Sequence, residues 1–254
     1  MKNKVAFITG ATSGIGMATA KVFAKNGVKI VICGRREERL HELSKEFSQS
    51  TKVHTLNFDV RNRKAVEAAI ASLPEEFSAI DILINNAGNA YGLTTIDEGN
   101  PDDWDAMIDI NVKGLLYVSR AILPQMVSRK SGQVINIGST AGKEVHPKGN
   151  VYCGTKHAAD ALNQAMRMDL NGKGIKIGAI NPGFVETEFS EVRFKGDSER
   201  AKKVYENYTP LKPGDIADII WFAVTRPPHV NIADLTVMCL DQASAMIVHK
   251  NEKA

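Results

Sequence analysis

Short apolar segments alternate with helical segments along almost the whole chain, and this alternation limits the fold more than any other feature. Brief β-rich apolar runs separated by helices predict parallel strands, and a parallel sheet is covered by helices on both faces. We predict strands at residues 5–9, 28–33, 53–58, 80–84, 134–137, 175–180 and 235–240. The predicted helices are 15–26, 37–47, 65–73, 151–170, 216–224 and, as one long or two stacked helices, 104–127.

The same alternation predicts where a ligand binds and how the chain divides. Open parallel sheets bind ligands outside the carboxyl ends of their strands, where the strand order reverses. The 254 residues show no change of composition that would mark a linker. We therefore expect one domain over residues 1–254, with a polar, lid-like segment at about 184–212 that interrupts the pattern.

Charge and cysteine content argue against several functional classes. The net charge is +3 with both signs interspersed, which disfavours a nucleic-acid or membrane surface. No apolar run reaches transmembrane length, and the N-terminal one is too short for a signal peptide. Cys33, Cys153 and Cys239 lack metal-site spacing and fit a reducing compartment. We expect a soluble cytoplasmic protein with a small-molecule substrate, no nucleic-acid partner and no metal.

A glycine-rich turn follows the first predicted strand. Its glycines let the backbone turn tightly and approach a pyrophosphate, whose charge the next helix N-terminus meets. The spacing G-x-x-x-G-x-G differs from the commoner G-x-G-x-x-G, and a purely structural turn is the alternative. Its place in the first strand-to-helix connection favours cofactor binding. The residues concerned are Gly10, Thr12, Ser13, Gly14, Ile15 and Gly16.

The end of the second predicted strand distinguishes the two nicotinamide cofactors. An NAD enzyme places an acidic residue about 20 residues beyond the glycines, on the ribose hydroxyl. Here the sequence reads Cys33-Gly34-Arg35-Arg36. Cations at a helix start oppose the helix dipole, so a solvated basic turn is the less favoured explanation. Guanidinium groups grip phosphate well, which predicts that Arg35 and Arg36 bind the 2′-phosphate of NADP.

Residues after the third and fourth strands fit the same dinucleotide. Asp59 and Val60 follow strand three, where the Asp59 carboxylate can accept from an adenine amine or lie in a solvated turn. Asn85 ends strand four and can instead knit neighbouring strands together. Small residues that let a ribose lie against the backbone come next: Asn86, Ala87 and Gly88.

The turn after strand six and the helical segment around Asn111 carry the remaining residues predicted for cofactor binding and proton relay. A rigid turn after strand six can present backbone to the nicotinamide amide, and it carries Pro182, Gly183, Val185 and Thr187. Asn111 lies inside a helical pattern although asparagine is a poor helix former. It can hold a bend and a water that leads to Lys156, or it can be exposed.

Ser139, Tyr152 and Lys156 form the candidate catalytic group. Ser139 ends an apolar strand, and Tyr152 and Lys156 are four residues apart on one helix face. A free tyrosine has a pKa near ~10, which a neighbouring lysine cation lowers. Tyr152 can then exchange a proton with an alcohol or carbonyl whose oxygen also meets Ser139. Tyr-x-x-x-Lys by itself is common by chance.

In combination these motifs resemble the short-chain dehydrogenase/reductase family over about residues 4–240. The resemblance implies a three-layer Rossmann fold with a seven-stranded, mainly parallel sheet, hydride transfer and a homotetramer. It implies that Tyr152 is the acid/base and Ser139 polarises the substrate. It also implies that Lys156 lowers the pKa of Tyr152 and binds the nicotinamide ribose, while Asn111 supports the proton relay.

A narrower resemblance concerns the substrate. Residues 35–40, 59–63, 136–142, 188–197 and 229–232 resemble NADP-dependent 3-hydroxy acid dehydrogenases, which act on L-allo-threonine, L-serine and related 3-hydroxy acids. A buried substrate carboxylate requires a charged partner. Arg193 is our first choice because a guanidinium grips both carboxylate oxygens. Lys195 ranks second, Lys143 and His146 third, and a solvated Arg193 or one paired with Glu191 or Asp197 is the alternative.

Two other functions are compatible with parts of this pattern. One is a short-chain reductase of another carbonyl class, such as a 3-oxoacyl thioester or a sugar alcohol, and assays of free acids against thioesters separate it. The other is an NADP-binding regulator without catalysis. Such regulators usually lack Tyr, Lys or Ser of the catalytic group, and here all three are present.

Overall fold

The computed structural model describes residues 1–250 of the chain. Seven strands form one sheet in the order β3-β2-β1-β4-β5-β6-β7, and every neighbouring pair is parallel. The strands are β1 Val5–Ile8, β2 Lys29–Gly34, β3 Val53–Asn57, β4 Ile82–Asn85, β5 Gly132–Ile137, β6 Ile175–Pro182 and β7 Asp234–Val237. The predicted three-layer Rossmann fold is confirmed.

Ten α-helices connect and cover the strands of the described chain. They are α1 Gly14–Lys25, α2 Glu37–Phe47, α3 Arg63–Ala71, α4 Glu75–Ser78, α5 Pro101–Ile108, α6 Leu115–Ser128, α7 Asn150–Asp169, α8 Phe189–Arg193, α9 Ser198–Lys203 and α10 Pro213–Val224. The short helices α4, α8 and α9 have no counterpart among the predicted elements. No helix in residues 1–250 is both long and apolar enough to cross a membrane.

Side chains of the central strands alternate between two apolar cores. Ala6 and Ile8 of β1 belong to the core on one face, and Val5 and Phe7 belong to the core on the other. This alternation follows from the two-residue period of a strand. Because both faces are buried, the strands are apolar throughout, which is why short continuous apolar runs located them.

The strand order reverses between β1 and β4, which pair with each other at the centre of the sheet. The connections that leave these two strands therefore diverge and open a groove at their carboxyl ends. The turn after β1 carries the glycines, and Asn86 follows β4. Thr9 joins the two connections, because its hydroxyl accepts hydrogen bonds from the backbone N–H groups of Asn86 and Ala87, both at 2.9 Å.

The predicted helix at 104–127 is observed as α5, a π-helical turn at Asp109–Gly114 and α6, which follow one another without a gap. Asn111 lies in this turn and is buried. Single π turns inside α-helices are frequent at functional sites. The irregular position of asparagine in the helical pattern thus corresponds to a real irregularity of the backbone.

Residues 184–212, which we call the lid, carry the short helices α8 and α9 over the groove. The two ends of the lid are joined, because Leu211 N donates to Phe184 O at 3.0 Å and Glu186 N donates to Leu211 O at 2.9 Å. The Tyr205 hydroxyl donates to Val185 O at 2.9 Å and lies 2.7 Å from Ser190 Oγ. The lid is therefore a closed, internally bonded loop.

Candidate active site

Almost every predicted site residue lines a single cleft of about 570 Å³ at the carboxyl ends of the strands. These residues are Gly10, Thr12, Ser13, Gly14, Ile15, Arg35, Arg36, Asp59, Val60, Asn86, Ala87, Gly88, Ser139, Tyr152, Lys156, Pro182, Gly183, Val185, Thr187 and Arg193. Gly16 and Asn111 do not line the cleft. No group of three or more metal-ligating side chains occurs in the described residues.

The glycine turn is shaped by close backbone approach. Gly10 has φ +63°, and a Cβ on it would lie 2.9 Å from Asn86 Nδ2 and 3.0 Å from Ala87 Cα. Gly14 has φ +53°, which also favours glycine. A Cβ on Gly16 would lie 2.4 Å from Asn86 Nδ2 and 2.5 Å from Gly10 O. Gly16 therefore serves the packing of α1 against the turn and not direct contact with a ligand.

The start of α1 is suited to an anion. No acidic residue lies in its first turn, and the Ser13 side chain makes no capping hydrogen bond. The unpaired N–H groups and the positive end of the helix dipole therefore face the cleft beside the glycines. A dinucleotide pyrophosphate fits this place in charge and in the space left by the missing side chains.

Arg35 and Arg36, which we call the basic corner, lie at the end of β2 and also fit a phosphate. Arg36 donates from Nε and Nη2 to Thr12 Oγ1, at 3.1 and 2.9 Å. Its Nη1 also contacts Glu188 Oε2 of the lid at 2.7 Å, and Arg39 contacts the other oxygen of Glu188 at 2.5 Å. Arg35 lines the cleft and is half-exposed. Without an acidic residue at this strand end, the donors suit the 2′-phosphate of NADP.

Asp59 has a charged partner of its own. Its carboxylate accepts from Arg61 Nη2 at 2.7 Å, and Arg35 lies 3.8 Å away. Burial raises the pKa of Asp59, but the Arg61 hydrogen bonds outweigh this, and the net pKa is lowered. Asp59 therefore remains an anion at the end of the cleft that carries Arg35, with Val60 beside it.

Tyr152 and Lys156 project from α7 into the cleft, and both are buried. Burial raises the pKa of the Tyr152 phenol, while the Arg193 charge and the Ser139 hydroxyl lower it in part. Burial lowers the pKa of Lys156 to about 8, and its Nζ donates to Ile137 O at 3.0 Å. Ser139 begins a tight turn after β5, where its Oγ accepts from Ala141 N at 3.1 Å.

Asn111 links the loop that follows β4 to helix α7. Its Oδ1 accepts from Asn89 N at 2.9 Å, and its Nδ2 donates to Asn89 O at 2.8 Å and Thr155 Oγ1 at 3.0 Å. A Cβ on Gly88 would lie 2.9 Å from Asn111 Oδ1 and 3.7 Å from Lys156 Nζ. The amide is thus behind the cleft floor, close to Lys156.

Asn85 holds strands and helices together instead of facing a ligand. Its Nδ2 donates to Ser119 Oγ of α6 and to Asn136 Oδ1 of β5, both at 2.9 Å. Asn136 in turn donates to Asn163 Oδ1 of α7 at 3.0 Å. This chain of buried amides crosses the centre of the fold, which agrees with the structural interpretation of Asn85.

The four candidate cations for a substrate carboxylate have different surroundings. Lys195 pairs with Asp103 at 2.9 Å, and Lys143 bridges Asp160 and Asp234, both at 2.7 Å. Neither lysine lines the cleft, whereas Arg193 and His146 do.

Arg193 differs from both lysines because it has no ion-pair partner among residues 1–250. Its guanidinium carbon lies 5.0 Å from the centre of the Tyr152 ring and 5.8 Å from that of Phe189. Its Nε is buried without a hydrogen-bond partner. The alternative in which Arg193 pairs with Glu191 or Asp197 does not hold in this structure.

Sequence patterns did not identify three residues that shape the cleft. Glu188 crosses to the basic corner, Phe189 lies 5.8 Å from the Tyr152 ring, and Gln242 accepts at Oε1 from Phe184 N at 3.0 Å. A Cβ on Gly183 would lie 1.9 Å from that Gln242 oxygen. Glu188 and Phe189 stand in the segment 188–197 singled out above, but no local signal indicates that Gln242 reaches the cleft.

Known proteins resemble the chain in both sequence and structure. The sequence profile of the short chain dehydrogenase family matches residues 4–198. The NADP-dependent 3-hydroxy acid dehydrogenase YdfG of Escherichia coli K12 is 45% identical over 248 residues, covering 97% of this chain and 99% of the relative. Sulfoacetaldehyde reductase 2 of Chromohalobacter salexigens is 41% identical over 249 residues, with 97% and 99% covered.

A solved structure described as the closed form of serine dehydrogenase complexed with NADP+ superimposes with a TM-score of 0.92. It is 45% identical and covers 97% of this chain and 99% of its own. The profile match extends over most of the chain and includes the glycine turn, Ser139, Tyr152 and Lys156. The chain therefore belongs to the short-chain dehydrogenase family.

Proposed function

We propose that the chain is an NADP-dependent oxidoreductase that interconverts a small 3-hydroxy acid and its 3-oxo acid or semialdehyde. L-allo-threonine, L-serine and 3-hydroxypropionate-like acids are the substrates we expect. The observation that carries the choice of an acid is the unpaired Arg193 guanidinium, which lies over the Tyr152 ring in the cleft. Relatives named for 3-hydroxy acids and for serine support the same class.

NADP is the cofactor that the relatives' names specify. The residues here fit it, because glycines and the α1 N-terminus suit the pyrophosphate and Arg35 and Arg36 suit a 2′-phosphate. When bound, the nicotinamide would accept or supply the hydride. Gly183, Val185 and Thr187 line the cleft beside Tyr152 and can hold the amide end of the nicotinamide.

The chain's own groups move the proton. Tyr152 gives a proton to the carbonyl oxygen during reduction and removes it from the hydroxyl during oxidation. Ser139 hydrogen-bonds the same oxygen as charge develops on it. Lys156 binds the ribose and passes the proton onward, and Asn111, whose Oδ1 lies near Lys156, supports that relay.

Substrate orientation follows from the position of Arg193. A carboxylate gripped by this guanidinium lies on the lid side of Tyr152, so the carbon bearing the hydroxyl can reach Ser139 and Tyr152 together. Burying the carboxylate against an unpaired cation avoids the cost of an uncompensated buried charge. A neutral alcohol gains nothing from this contact, so the site favours acids.

A substrate panel tests the proposed class directly. L-allo-threonine, L-serine, 3-hydroxypropionate, a neutral alcohol of similar size, a sugar alcohol and a 3-hydroxyacyl thioester are each assayed with NADP and with NAD. We expect the free acids with NADP to give the highest kcat/KM. A preference for the thioester or the sugar alcohol would contradict the proposal and indicate another carbonyl class.

Arg193→Ala tests the carboxylate contact separately. We expect kcat/KM, compared on the pH plateau where Tyr152 is ionised, to fall by about 2 kcal/mol or more on L-allo-threonine while the neutral alcohol changes little, because only the acid loses a charged partner. Lys195→Ala, which removes a lid cation outside the cleft, is the control. An equal effect of Arg193→Ala on both substrates would remove this residue from carboxylate binding.

A sulfonate aldehyde is a second candidate substrate. The relative from Chromohalobacter salexigens is named for sulfoacetaldehyde, and a sulfonate is an anion that the same guanidinium can bind. Sulfoacetaldehyde with NADPH therefore belongs in the panel. A kcat/KM above that of the 3-oxo acids would favour this candidate.

We also propose that the chain forms a homotetramer. Small residues Ala158, Ala161 and Ala165 lie on α7, and the latter two are exposed, away from the helix face that packs on the sheet. An exposed stripe of small residues allows another helix to approach closely. Light scattering at micromolar concentration should give four times the monomer mass, and a monomeric mass would contradict this.

A further inference from the structure

Lys156 lies four residues from Tyr152 on α7, but its side chain keeps a positive charge only over a limited pH range. Burial lowers the pKa of Lys156 to about 8, so the ammonium loses its proton only slightly above neutral pH. Its Nζ is engaged by Ile137 O at 3.0 Å. Burial meanwhile raises the pKa of Tyr152. A further cation that stays charged above this pH would therefore favour ionisation of Tyr152.

Arg193 has the position and the chemistry that this requires. Its guanidinium carbon lies 5.0 Å from the centre of the Tyr152 ring, within the range of a cation–π contact. Its Nε is buried and unpaired, and none of the ion pairs in residues 1–250 involves it. Burial lowers the pKa of Arg193, but the ordinary pKa of an arginine is so high that the guanidinium stays protonated throughout the working pH range. Its charge is therefore permanent and uncompensated beside the phenol.

No other group around Tyr152 adds a permanent positive charge. After burial and Arg193, the Ser139 hydroxyl lowers the pKa of Tyr152, and Cys153 and Tyr205 raise it. The titratable groups that act on the pKa of Tyr152, share its apolar cluster or line the cleft on its side are Lys156 and Cys153 on α7, Arg193 on α8, the ion-paired Glu188 before α8, Tyr205 after α9, His146 before α7 and Tyr91 after β4. Arg193 is the single guanidinium among them.

We propose that Arg193 is a positioning residue for proton transfer: the lid places its guanidinium against Tyr152, where it stabilises the phenolate. The inference rests on the proposed acid/base role of Tyr152. It goes beyond that role because the second cation comes from the lid and not from the catalytic helix. The anchors of Arg193 support this assignment, since its carbonyl accepts from Gly92 N at 2.9 Å and fixes the end of α8 over the cleft.

The arrangement links substrate charge to proton transfer. A carboxylate bound to Arg193 neutralises the guanidinium, so the phenolate is less stabilised with an acid in place than with a neutral alcohol. In terms of kinetics, the pH profile of kcat reports the enzyme–substrate complex, and that of kcat/KM reports the free enzyme. The apparent pKa in kcat should therefore be higher for L-allo-threonine than for the neutral alcohol.

Titration of the tyrosines by ultraviolet difference spectroscopy tests the proposal without turnover. The Tyr152 signal is obtained by subtracting the spectrum of Tyr152→Phe. We expect Arg193→Met to raise the Tyr152 midpoint by ~1 pH unit or more and Arg193→Lys to restore part of it. Arg200→Met is the matched control, since Arg200 is a lid arginine stacked on Phe194 at 4.4 Å instead of on Tyr152.

Kinetics on the neutral alcohol separate this inference from substrate binding. Oxidation requires the phenolate, so the rising limb of kcat/KM should move to higher pH in Arg193→Met and stay in place in Arg200→Met. A shift of the pH profile on the neutral alcohol supports the inference. It does so even if Arg193→Met causes no additional loss of activity on acids, a result that would reject Arg193 as the carboxylate partner. Loss of activity on acids alone, with an unchanged Tyr152 midpoint and unchanged pH profile, would overturn the inference and leave the proposed function standing.

Discussion

The two walls of the cleft are built in different ways. The wall formed by the connections after β1 and β4 is held by backbone contact so close that a Cβ on Gly16 would lie 2.5 Å from Gly10 O. The lid wall consists of two helices of five and six residues, and side-chain pairs such as Glu188 with Arg36 and Lys195 with Asp103 hold it.

This difference affects what each wall can tolerate. Close backbone packing excludes even one added carbon, whereas an exposed ion pair contributes only about 0–1 kcal/mol. The first wall therefore suits the part of the reaction that does not change with the substrate, the proposed cofactor. The second wall can be rearranged at little cost in stability, which suits the part that selects the substrate and, through Arg193, acts on Tyr152.

The largest expected effect lies where the two walls meet, at Tyr152. Tyr152→Phe should lower kcat by ~10²–10⁴ or more, because the phenol hydroxyl carries the proton. NADP affinity should change little, since the glycine turn, Arg35 and Arg36 remain. Steady-state kinetics and cofactor titration check both, with Tyr117→Phe on α6 as control. Near-normal kcat in a correctly folded Tyr152→Phe would reject the mechanism.

Substitutions of Arg35 and Arg36 test whether the wall that carries the glycine turn determines the choice between NADP and NAD. Arg35→Gln with Arg36→Gln should weaken NADP by about 10- to 100-fold and leave NAD nearly unchanged, because a hydrogen bond to a charged phosphate is lost. Arg39→Gln is the control, as Arg39 shares Glu188 but does not line the cleft. Unchanged preference in the double variant would place 2′-phosphate recognition elsewhere, with Ser13 the next candidate.

A glycine comparison tests the rigidity of the first wall. Gly16→Ala should lower the free energy of unfolding by about 1–3 kcal/mol, because the new Cβ meets backbone that cannot move aside. Gly214→Ala, at the start of α10 just beyond the lid, meets nothing within 4 Å and should be neutral or stabilising. Urea unfolding measures both. Equal stability of the two variants would show that the wall adapts.

The smallest expected effect concerns the contact between the walls. Glu188→Gln should strengthen NADP binding by up to ~5-fold, since it frees the Arg36 guanidinium for the cofactor phosphate and an exposed pair is weak. Glu191→Gln, elsewhere on α8, is the control. Isothermal titration measures the affinities. Weaker binding in Glu188→Gln would instead show that the pair holds the lid over bound cofactor.

The same pair has a defined pH dependence. Burial raises the pKa of Glu188, but its hydrogen bonds to Arg36 and Arg39 lower it to a net value below the ordinary one. A carboxyl whose folded pKa is lowered contributes stability above its unfolded pKa and loses it as the pH falls through the folded pKa. The difference in unfolding free energy between the chain and Glu188→Gln should therefore vanish in acid and not in alkali.

Sequence alone determined the sheet, the glycine turn and the positions of Ser139, Tyr152 and Lys156. Each of these depends on local rules: two-residue alternation between buried faces, positive φ at Gly10 and Gly14, and a four-residue helical spacing. The break in helical pattern at Asn111 belongs to the same class, because a π-helical turn changes the local residue preference. The short helices α4, α8 and α9 were missed, since four to six residues carry too weak a periodic signal.

Only the tertiary structure decided which charges are free to act. The sequence ranks Arg193 above Lys195 and Lys143 only by the chemistry of its side chain. In the structure Asp160, Asp234 and Asp103 neutralise the two lysines and leave Arg193 unpaired over Tyr152. Gln242, which supports the turn at Gly183, likewise comes from the far end of the chain. Such pairings depend on distances between residues that are remote in sequence, and no local pattern of residue types encodes them.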